Sequence, residues 1–372
     1  MSQGSVVIAG AGIFGVAASL ALRARGVAVT VLDPGPIPRP EAASNDISKV
    51  VRMDYDADRF YTEMMEEAFP RWRAWNARWG ETLYHEDGFL LLSRHPLDDR
   101  SFEGASLATM RSRGHAVERL DRSAIGSRFP AWREGGYADG YFNPTAGWVE
   151  SGRALARLIE DARAAGVTFR IGERLDRPAP GRVVIAAGAW TPGLVPALAR
   201  VMRAVAQPVF HLSPGDPDLW RGTSFPVWAA DIARTGWYGF PANRDGIVKV
   251  ACHGPGRAID PDQPRSTRPE DEHALRTFLR ESLPGLADAP LAAAKTCFYC
   301  DTFDGDFWID RDPGNPDVVV AAGDSGHALK FAPVLGELIA DVVLGIPNRY
   351  APRFARRDPG PRTTEAARFD LT

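Results

Sequence analysis

Residues 5–33 constrain this 372-residue chain more than any other stretch. Ser5-Val6-Val7-Ile8-Ala9 reads as a short apolar strand, followed directly by Gly10-Ala11-Gly12-Ile13-Phe14-Gly15. An alanine- and leucine-rich helix then runs to Gly26, and a second strand over 27–32 ends on Asp33. The glycines permit a tight turn and let the backbone approach a pyrophosphate at the helix N-terminus, where the helix dipole favours anions. Asp33 stands where a carboxylate accepts a hydrogen bond from a ribose hydroxyl, and its charge repels the extra phosphate of an NADP-type ligand. A lone Gly-x-Gly-x-x-Gly says little. With a strand before, a helix after and an acid at the end of the next strand, it marks a dinucleotide-binding βαβ start.

The rest of the chain is organised around that start. Residues 34–40 form a proline-rich connector. Residues 57–79 read as a helix whose aromatics, Phe60, Tyr61, Phe69, Trp72, Trp75 and Trp79, are read as core packing rather than a ligand cage. Strands are expected at 88–93, 140–143 and 167–171, with an amphipathic helix over 151–165. Arg182-Val-Val-Ile-Ala-Ala-Gly-Ala-Trp190 is a buried strand ending in small residues. Residues 203–255 look antiparallel, and 270–283 is a charged surface helix. A buried strand at 318–322, a glycine-containing loop at 323–331 and a helix at 333–344 then return to the opening pattern. Nucleotide-type segments at both ends and in the middle imply an α/β chain of two interleaved domains.

Net charge is −3, from 44 basic and 47 acidic residues, so no basic field exists to hold nucleic acid or an anionic membrane. No apolar run reaches the length of a membrane span, and the N-terminus enters a strand pattern without a signal peptide. Three cysteines are too few for a disulfide framework. The expectation is a soluble, cytoplasmic protein, monomeric and without a metal; one Cys-x-x-Cys is too little for zinc. Only four of the 44 basic residues are lysines: Lys49, Lys249, Lys295 and Lys330. A chain that otherwise writes its cations as arginine keeps lysine where the planar fork does not fit. The plainer reading is that four lysines are leftovers of a GC-rich genome.

Six further segments carry a resemblance. They are Asn45-Asp-Ile-Ser-Lys-Val-Val-Arg52, Ala187-Gly-Ala-Trp190, Trp237-Tyr-Gly-Phe-Pro241, Lys249-Val-Ala-Cys-His253, Lys295-Thr-Cys-Phe-Tyr299 and Ser325-Gly-His-Ala-Leu-Lys-Phe331. With the N-terminal fingerprint, they make nearly the whole chain resemble the sarcosine-oxidase-like branch of the D-amino-acid-oxidase flavoproteins, which includes N-methyl-amino-acid and fructosyl-amino-acid (Amadori) oxidases. The resemblance implies a Rossmann-like FAD-binding domain made of residues 1–80, 146–200 and 304–372. Interleaved with it, residues 81–145 and 201–303 would form a substrate-binding domain on a mixed, largely antiparallel sheet with helices.

The same resemblance implies roles residue by residue. FAD would lie along Gly10, Gly12, Ile13, Phe14, Gly15 and Asp33, and against Ser44, Lys49, Ala187, Gly188, Trp190, Gly326, His327 and Lys330. Cys297 would carry it through a thioether, chemistry that needs a thiolate favoured by a nearby cation; Cys300 would only pack, and Lys295 would only pack beside Cys297. Lys249 would sit by the flavin and promote reaction with O2, since a fixed ammonium stabilises developing superoxide. Its alternation with Val248 and Val250 fits a solvent-facing strand lysine equally well. Arg52 and Lys330 would hold the substrate carboxylate. His253 would lie near the substrate amine, and Tyr238 and Tyr299 would line the cavity, with Tyr55 and Trp237 nearby.

The activity so implied is FAD-dependent oxidation of N-substituted (secondary amine) amino acids to imines, with O2 reduced to hydrogen peroxide. Asn45-Asp46-x-x-Lys49 and Cys297-x-x-x-Asp301-Thr302 look closer to the Amadori oxidases. Lys249-x-x-x-His253 and Cys297-Phe-Tyr299 look like sarcosine oxidase. Two alternatives stay open: an amine dehydrogenase or secondary-metabolism enzyme with another acceptor or substrate, and a non-catalytic flavin- or NAD-binding regulator.

Overall fold

Val6, Ile8, Val29, Val31, Val183 and Val184 are buried, and near-continuous apolar strands of this kind need cover on both faces. They form the centre of a six-stranded sheet in the computed structural model, which describes residues 4–175 and 181–369. Residues 1–3, 176–180 and 370–372 of the expected domain ranges lie outside the described residues. The sheet runs Trp308–Asp312, Asn315–Ala322, Arg182–Ile185, Ser5–Ala9, Ala28–Asp33, Thr168–Ile171. All neighbours are parallel except the first two strands, which form an antiparallel edge. The fingerprint helix Ile13–Ala24 packs against helices Ala332–Leu344 and Ser151–Ala164. Strands from both ends and the middle of the chain thus close one α/β layer.

A nine-stranded sheet, largely antiparallel, forms the second layer. Its one parallel pair joins Val227–Ala230 to Phe89–Ser93. The long ribbon Met202–Leu212 and Leu291–Thr302 pairs Gln207 with Cys297 and Val209 with Lys295. Val248–Cys252 lies on the ribbon's other flank, with His211 opposite Lys249, and Trp237–Phe240 follows, with Phe240 opposite Lys249 and Tyr238 opposite Ala251. Directly opposed residues share a face of a sheet. His211, Lys249, Phe240, Tyr238, Lys295, Cys297 and Tyr299 therefore all look the same way. Val248 and Val250 look the other way, into a core closed by Leu275, Phe278 and Leu279 of helix Pro269–Ser282. The alternation that left Lys249 undecided is resolved by that helix.

A three-stranded sheet of Lys49–Val51, Gly147–Val149 and Tyr84–His85 carries the Asn45–Arg52 motif toward this face. Helix Arg59–Trp79 is capped by the Asp58 carboxylate, which accepts from Phe60 N at 3.0 Å, and ends on Gly80 at φ 63°. Its Tyr61, Phe69, Trp72 and Trp79 are core residues, as the aromatic stripe suggests, while Phe60 and Trp75 are half-buried. Trp72 does more than pack: its Nε1 donates to the Lys330 carbonyl at 2.8 Å. No described helix is long and apolar enough to cross a membrane.

Candidate active site

The ends of the first two parallel strands open into a cleft of about 360 Å³. Gly10, Gly12, Ile13 and Phe14 line it, with the first-turn amides of their helix free of intrahelical partners. Gly12 offers no side-chain cap; Ser44 supplies one from another segment, its Oγ accepting from Ile13 N at 3.0 Å. Gly15 lies one turn inside and does not line the cleft. A Cβ there would stand 2.0 Å from the Gly10 carbonyl oxygen, so its part is close packing of helix on turn. Asp33 ends its strand with Oδ2 accepting from Ala11 N at 2.9 Å and Oδ1 from Gly35 N at 3.0 Å. Each oxygen keeps a lone pair for a hydroxyl donor.

Ala187, Gly188 and Trp190 make the facing wall, where Trp190 Nε1 donates to Asp262 at 2.8 Å and Arg39 lies 4.5 Å over the indole. Asp324 and Gly326 lie at the inner end. Burial pushes the Asp324 carboxyl up to about 7. Gly326, at φ 80°, would drive a Cβ to 2.2 Å from the Tyr299 ring, so only glycine lets the loop pass under that tyrosine. A glycine-lined cleft with a helix N-terminus in its wall and a strand-end carboxylate fits FAD.

A smaller chamber of about 50 Å³ adjoins this cleft and shares with it Lys49, Tyr299, Gly326 and Leu329. Its wall is aromatic and aliphatic, with Phe89, Trp228, Ile232, Tyr238 and Phe240. Set into that wall are Arg52, Lys330, His253, His327 and Glu365. Four of the five were expected from sequence. Glu365 was not.

Hydrogen bonds fix the charge states. Lys330 Nζ donates to Tyr55 Oη and to the His327 carbonyl, both at 2.8 Å. Burial, then the Arg52 charge, holds it well below the usual lysine range. Tyr55 Oη, accepting from Lys330, donates to His327 Nδ1 at 3.0 Å, and His327 Nε2 donates to the Gly305 carbonyl at 3.0 Å. Burial pushes this imidazole down to about 3, so it is neutral. His327 lines the chamber and not the cleft. Burial opposes ionisation of Glu365, but Arg52 and His253 outweigh it and hold the carboxyl well below its usual range. Its Oε1 accepts from Arg52 Nη2 at 2.6 Å and its Oε2 from His253 Nε2 at 2.9 Å. Arg52 Nη1 donates to the Asp54 carbonyl.

Behind the wall lies a second charged cluster. Lys249 is fully buried and donates to Asp46 Oδ2 and to the Ser48 carbonyl, each at 2.6 Å. Lys295 and His211 meet Asp46 Oδ1 at 2.9 and 3.1 Å. Burial disfavours the Asp46 charge, yet Lys249 and His211 keep it well below the carboxylate range. Burial also brings Lys249 down to about 8 against the pull of Asp46. Lys249 lines neither cavity; its Nζ lies 4.7 Å from the Phe240 ring centre, behind a chamber wall. Lys49 is the lysine that reaches both. Cys297 is buried against Val209, Ala251 and Tyr299, outside both linings, with Sγ 3.7 Å from Lys49 Nζ. Cys300 is buried in a separate apolar cluster.

Sequence reasoning missed Glu365 and the anchoring role of Asp46. Glu365 sits beyond the last motif in a stretch without regular structure, and no local pattern marks it. Asp46 lay inside a quoted motif, and four lysines in an arginine-rich chain were the available signal: two of them converge on it.

Comparison with known proteins agrees with this geometry. Residues 5–342 match the DAO family, FAD dependent oxidoreductase. The chain is 25% identical over 360 residues to monomeric sarcosine oxidase from Bacillus sp. (strain B-0618), covering 91% of this chain and 92% of that one. It is 29% identical over 364 residues to N-methyl-L-tryptophan oxidase from Salmonella arizonae, covering 91% and 94%. Among solved structures, fructosamine oxidase (Amadoriase II) from Aspergillus fumigatus superposes with a TM-score of 0.83 at 24% identity, covering 100% of this chain and 94% of that one. A glycine-lined cleft meeting a cation-bearing aromatic chamber, on a fold shared across whole chains, places this protein among the FAD-dependent oxidoreductases of the DAO family.

Proposed function

We propose that the chain is an oxidase of N-substituted amino acids, converting the substrate's secondary amine to an imine while O2 becomes hydrogen peroxide. The observation that carries this reading is the junction of the two cavities at Lys49, Tyr299 and Gly326, which sets a small chamber directly against the cofactor cleft. FAD held along Gly10, Gly12, Ile13, Phe14 and Asp33 would supply the electron sink for the C–N bond and the route to O2. The aromatic wall from the nine-stranded layer encloses the nitrogen substituent and excludes water. Arg52 and Lys330 face the substrate's carboxyl end, and His253 and Tyr238 lie beside the reacting centre. Two protons and two electrons leave the amine, and the imine hydrolyses after release.

Cys297 is assigned the covalent link to FAD, with Lys49 Nζ 3.7 Å from its Sγ. Lys249, held by Asp46 behind the wall, is assigned to the oxygen side. The protein is taken to work as a cytoplasmic monomer on a small amine and O2, apart from nucleic acid and membrane. The test is a peroxide-release screen over sarcosine, other N-methyl amino acids, cyclic imino acids and fructosyl amino acids. Peroxide from one of these classes supports the reading. Flavin reduced by substrate but reoxidised slowly in air would make the protein a dehydrogenase. Acid precipitation tests the link: yellow colour left in solution would remove Cys297 from that role.

A further inference from the structure

Glu365 is a buried carboxylate in the substrate chamber that the proposed reaction does not use. Its segment is fastened on both sides. Thr363 N donates to the Phe303 carbonyl at 2.7 Å, and Phe369 N to the His253 carbonyl at 3.0 Å. Arg368, itself buried, pairs with Asp301 at 2.8 Å and donates to the Gly254 carbonyl at 2.9 Å. Ala367 between them is fully buried. The Glu365 side chain is 6% exposed, as is that of Arg52. These contacts on both sides hold the carboxylate in the chamber wall.

Its position has a chemical consequence. A guanidinium grips a substrate carboxylate best through two parallel N–H bonds. In this chamber Arg52 gives one Nη2 hydrogen to Glu365 and one Nη1 hydrogen to the Asp54 carbonyl, so a substrate carboxylate would have to share the fork with both. Glu365 also cancels the Arg52 charge. A free carboxylate entering the chamber meets this second carboxylate, and the other basic side chains in the lining are Lys330 and, at the cleft junction, Lys49. Lys330 has spent two donors, on Tyr55 and on the His327 carbonyl. An amide or ester at the same place carries no charge to repel, and an amide N–H can donate to Glu365, whose oxygens retain lone pairs.

We propose that Glu365 is a specificity-determining residue that occupies the carboxylate place on Arg52 and directs the chamber to N-substituted amino acids whose carboxyl group is masked as an amide or ester. A residue at the N-terminus of a peptide has this chemistry. The proposal rests on the amine-oxidase reading for its substrate class, but its test reads binding separately from turnover.

The experiment uses flavin-loaded enzyme and two probes, propionate and propionamide, titrated against the flavin absorption spectrum. Sarcosine and sarcosinamide are run beside them for flavin reduction. Wild-type enzyme is expected to bind propionamide at least as tightly as propionate and to be reduced at lower concentration by sarcosinamide. Glu365→Gln frees Arg52 and should shift the propionate-to-propionamide preference toward the acid by roughly tenfold or more, the range of one charge-assisted hydrogen bond. The double variant R52Q/E365Q restores neutrality, spares the fold an uncompensated buried arginine, and should lose that gain. An acid-to-amide ratio within about twofold across all three proteins would overturn the proposal, because a merely structural glutamate shifts both probes together. Wild-type flavin unreduced by any N-substituted amine, with the probe ratios still moving as described, would instead overturn the oxidase reading and leave Glu365 as the charge selector.

Discussion

At the residue scale, two buried lysines illustrate how position changes chemistry. Lys249 and Lys330 are both fully enclosed, and both are pushed below the usual lysine range, but for different work. Lys249 sits against Asp46 with its pKa at about 8, so it is a cation at neutral pH and loses its proton as pH rises through 8. If its ammonium assists O2, reoxidation of reduced enzyme should slow between pH 7 and 9, and stopped-flow mixing with oxygen will show it. Lys249→Met should slow reoxidation by about 100-fold, the scale of losing one preorganised charge-stabilising donor, and remove that pH dependence. Substrate reduction of the flavin should change far less; equal losses in both steps would end the assignment. Arginine should not rescue, because a planar fork does not fit between Asp46 and the Ser48 carbonyl. Asp46→Ala leaves Lys249 and Lys295 without their carboxylate and should cost about 3–5 kcal/mol in denaturant unfolding.

At the scale of elements, the fingerprint turn depends on close approaches at Gly10, where a Cβ would stand 2.4 Å from the Ala186 carbonyl oxygen, and at Gly15. Gly15 is the sharper case. Alanine there must move either the turn or the helix, because the obstacle is the Gly10 carbonyl rather than a flexible side chain. Gly15→Ala should cost about 1–3 kcal/mol by overpacking and lower the flavin-to-protein absorbance ratio after purification. An unchanged ratio would show that the turn tolerates the shift. The long ribbon works differently. Its register, with Gln207 opposite Cys297 and Val209 opposite Lys295, points Lys295, Cys297 and Tyr299 toward the Asn45–Arg52 segment. A slip of one residue would turn all three into the opposite core.

Across the whole molecule, buried ionisable groups tie stability to pH. His327 is held at about 3 while an unfolded imidazole takes its proton near 6.5, so the unfolded chain binds more protons between those values. This contribution is complete above pH 6.5 and is lost as pH falls toward 3. Asp324, raised to about 7, acts with the opposite sign, stabilising more as pH drops from 7 toward 3.8. The two overlap, so the clean measurement is a difference. The melting temperature of wild type minus that of His327→Gln should shrink steadily as pH is lowered from 7 to 5. A constant difference would mean that the imidazole takes up its proton equally in the folded and the unfolded chain.

The cofactor half was legible in the sequence because its signals are local. Strand, glycine turn, helix and acid follow one another along the chain, and each acts on its immediate neighbours. The interleaving of two layers was also readable, since nucleotide-type segments recur at both ends and in the middle. The motifs brought Arg52, Lys330, His253, Tyr238 and Tyr299 to one chamber. Which donors remained free was a different question. Arg52 meets Glu365 across 313 positions, and Lys249 meets Asp46 across 203. Pairing of a buried cation is a property of residues far apart in sequence, with no periodicity or spacing to announce it. The sequence by itself determined a flavin-binding α/β chain, with Arg52 and Lys330 as the cations expected at a substrate carboxyl group. Only the tertiary structure decided that Arg52 is already paired with a carboxylate of the protein's own, because packing rather than pattern carries Glu365 into the chamber.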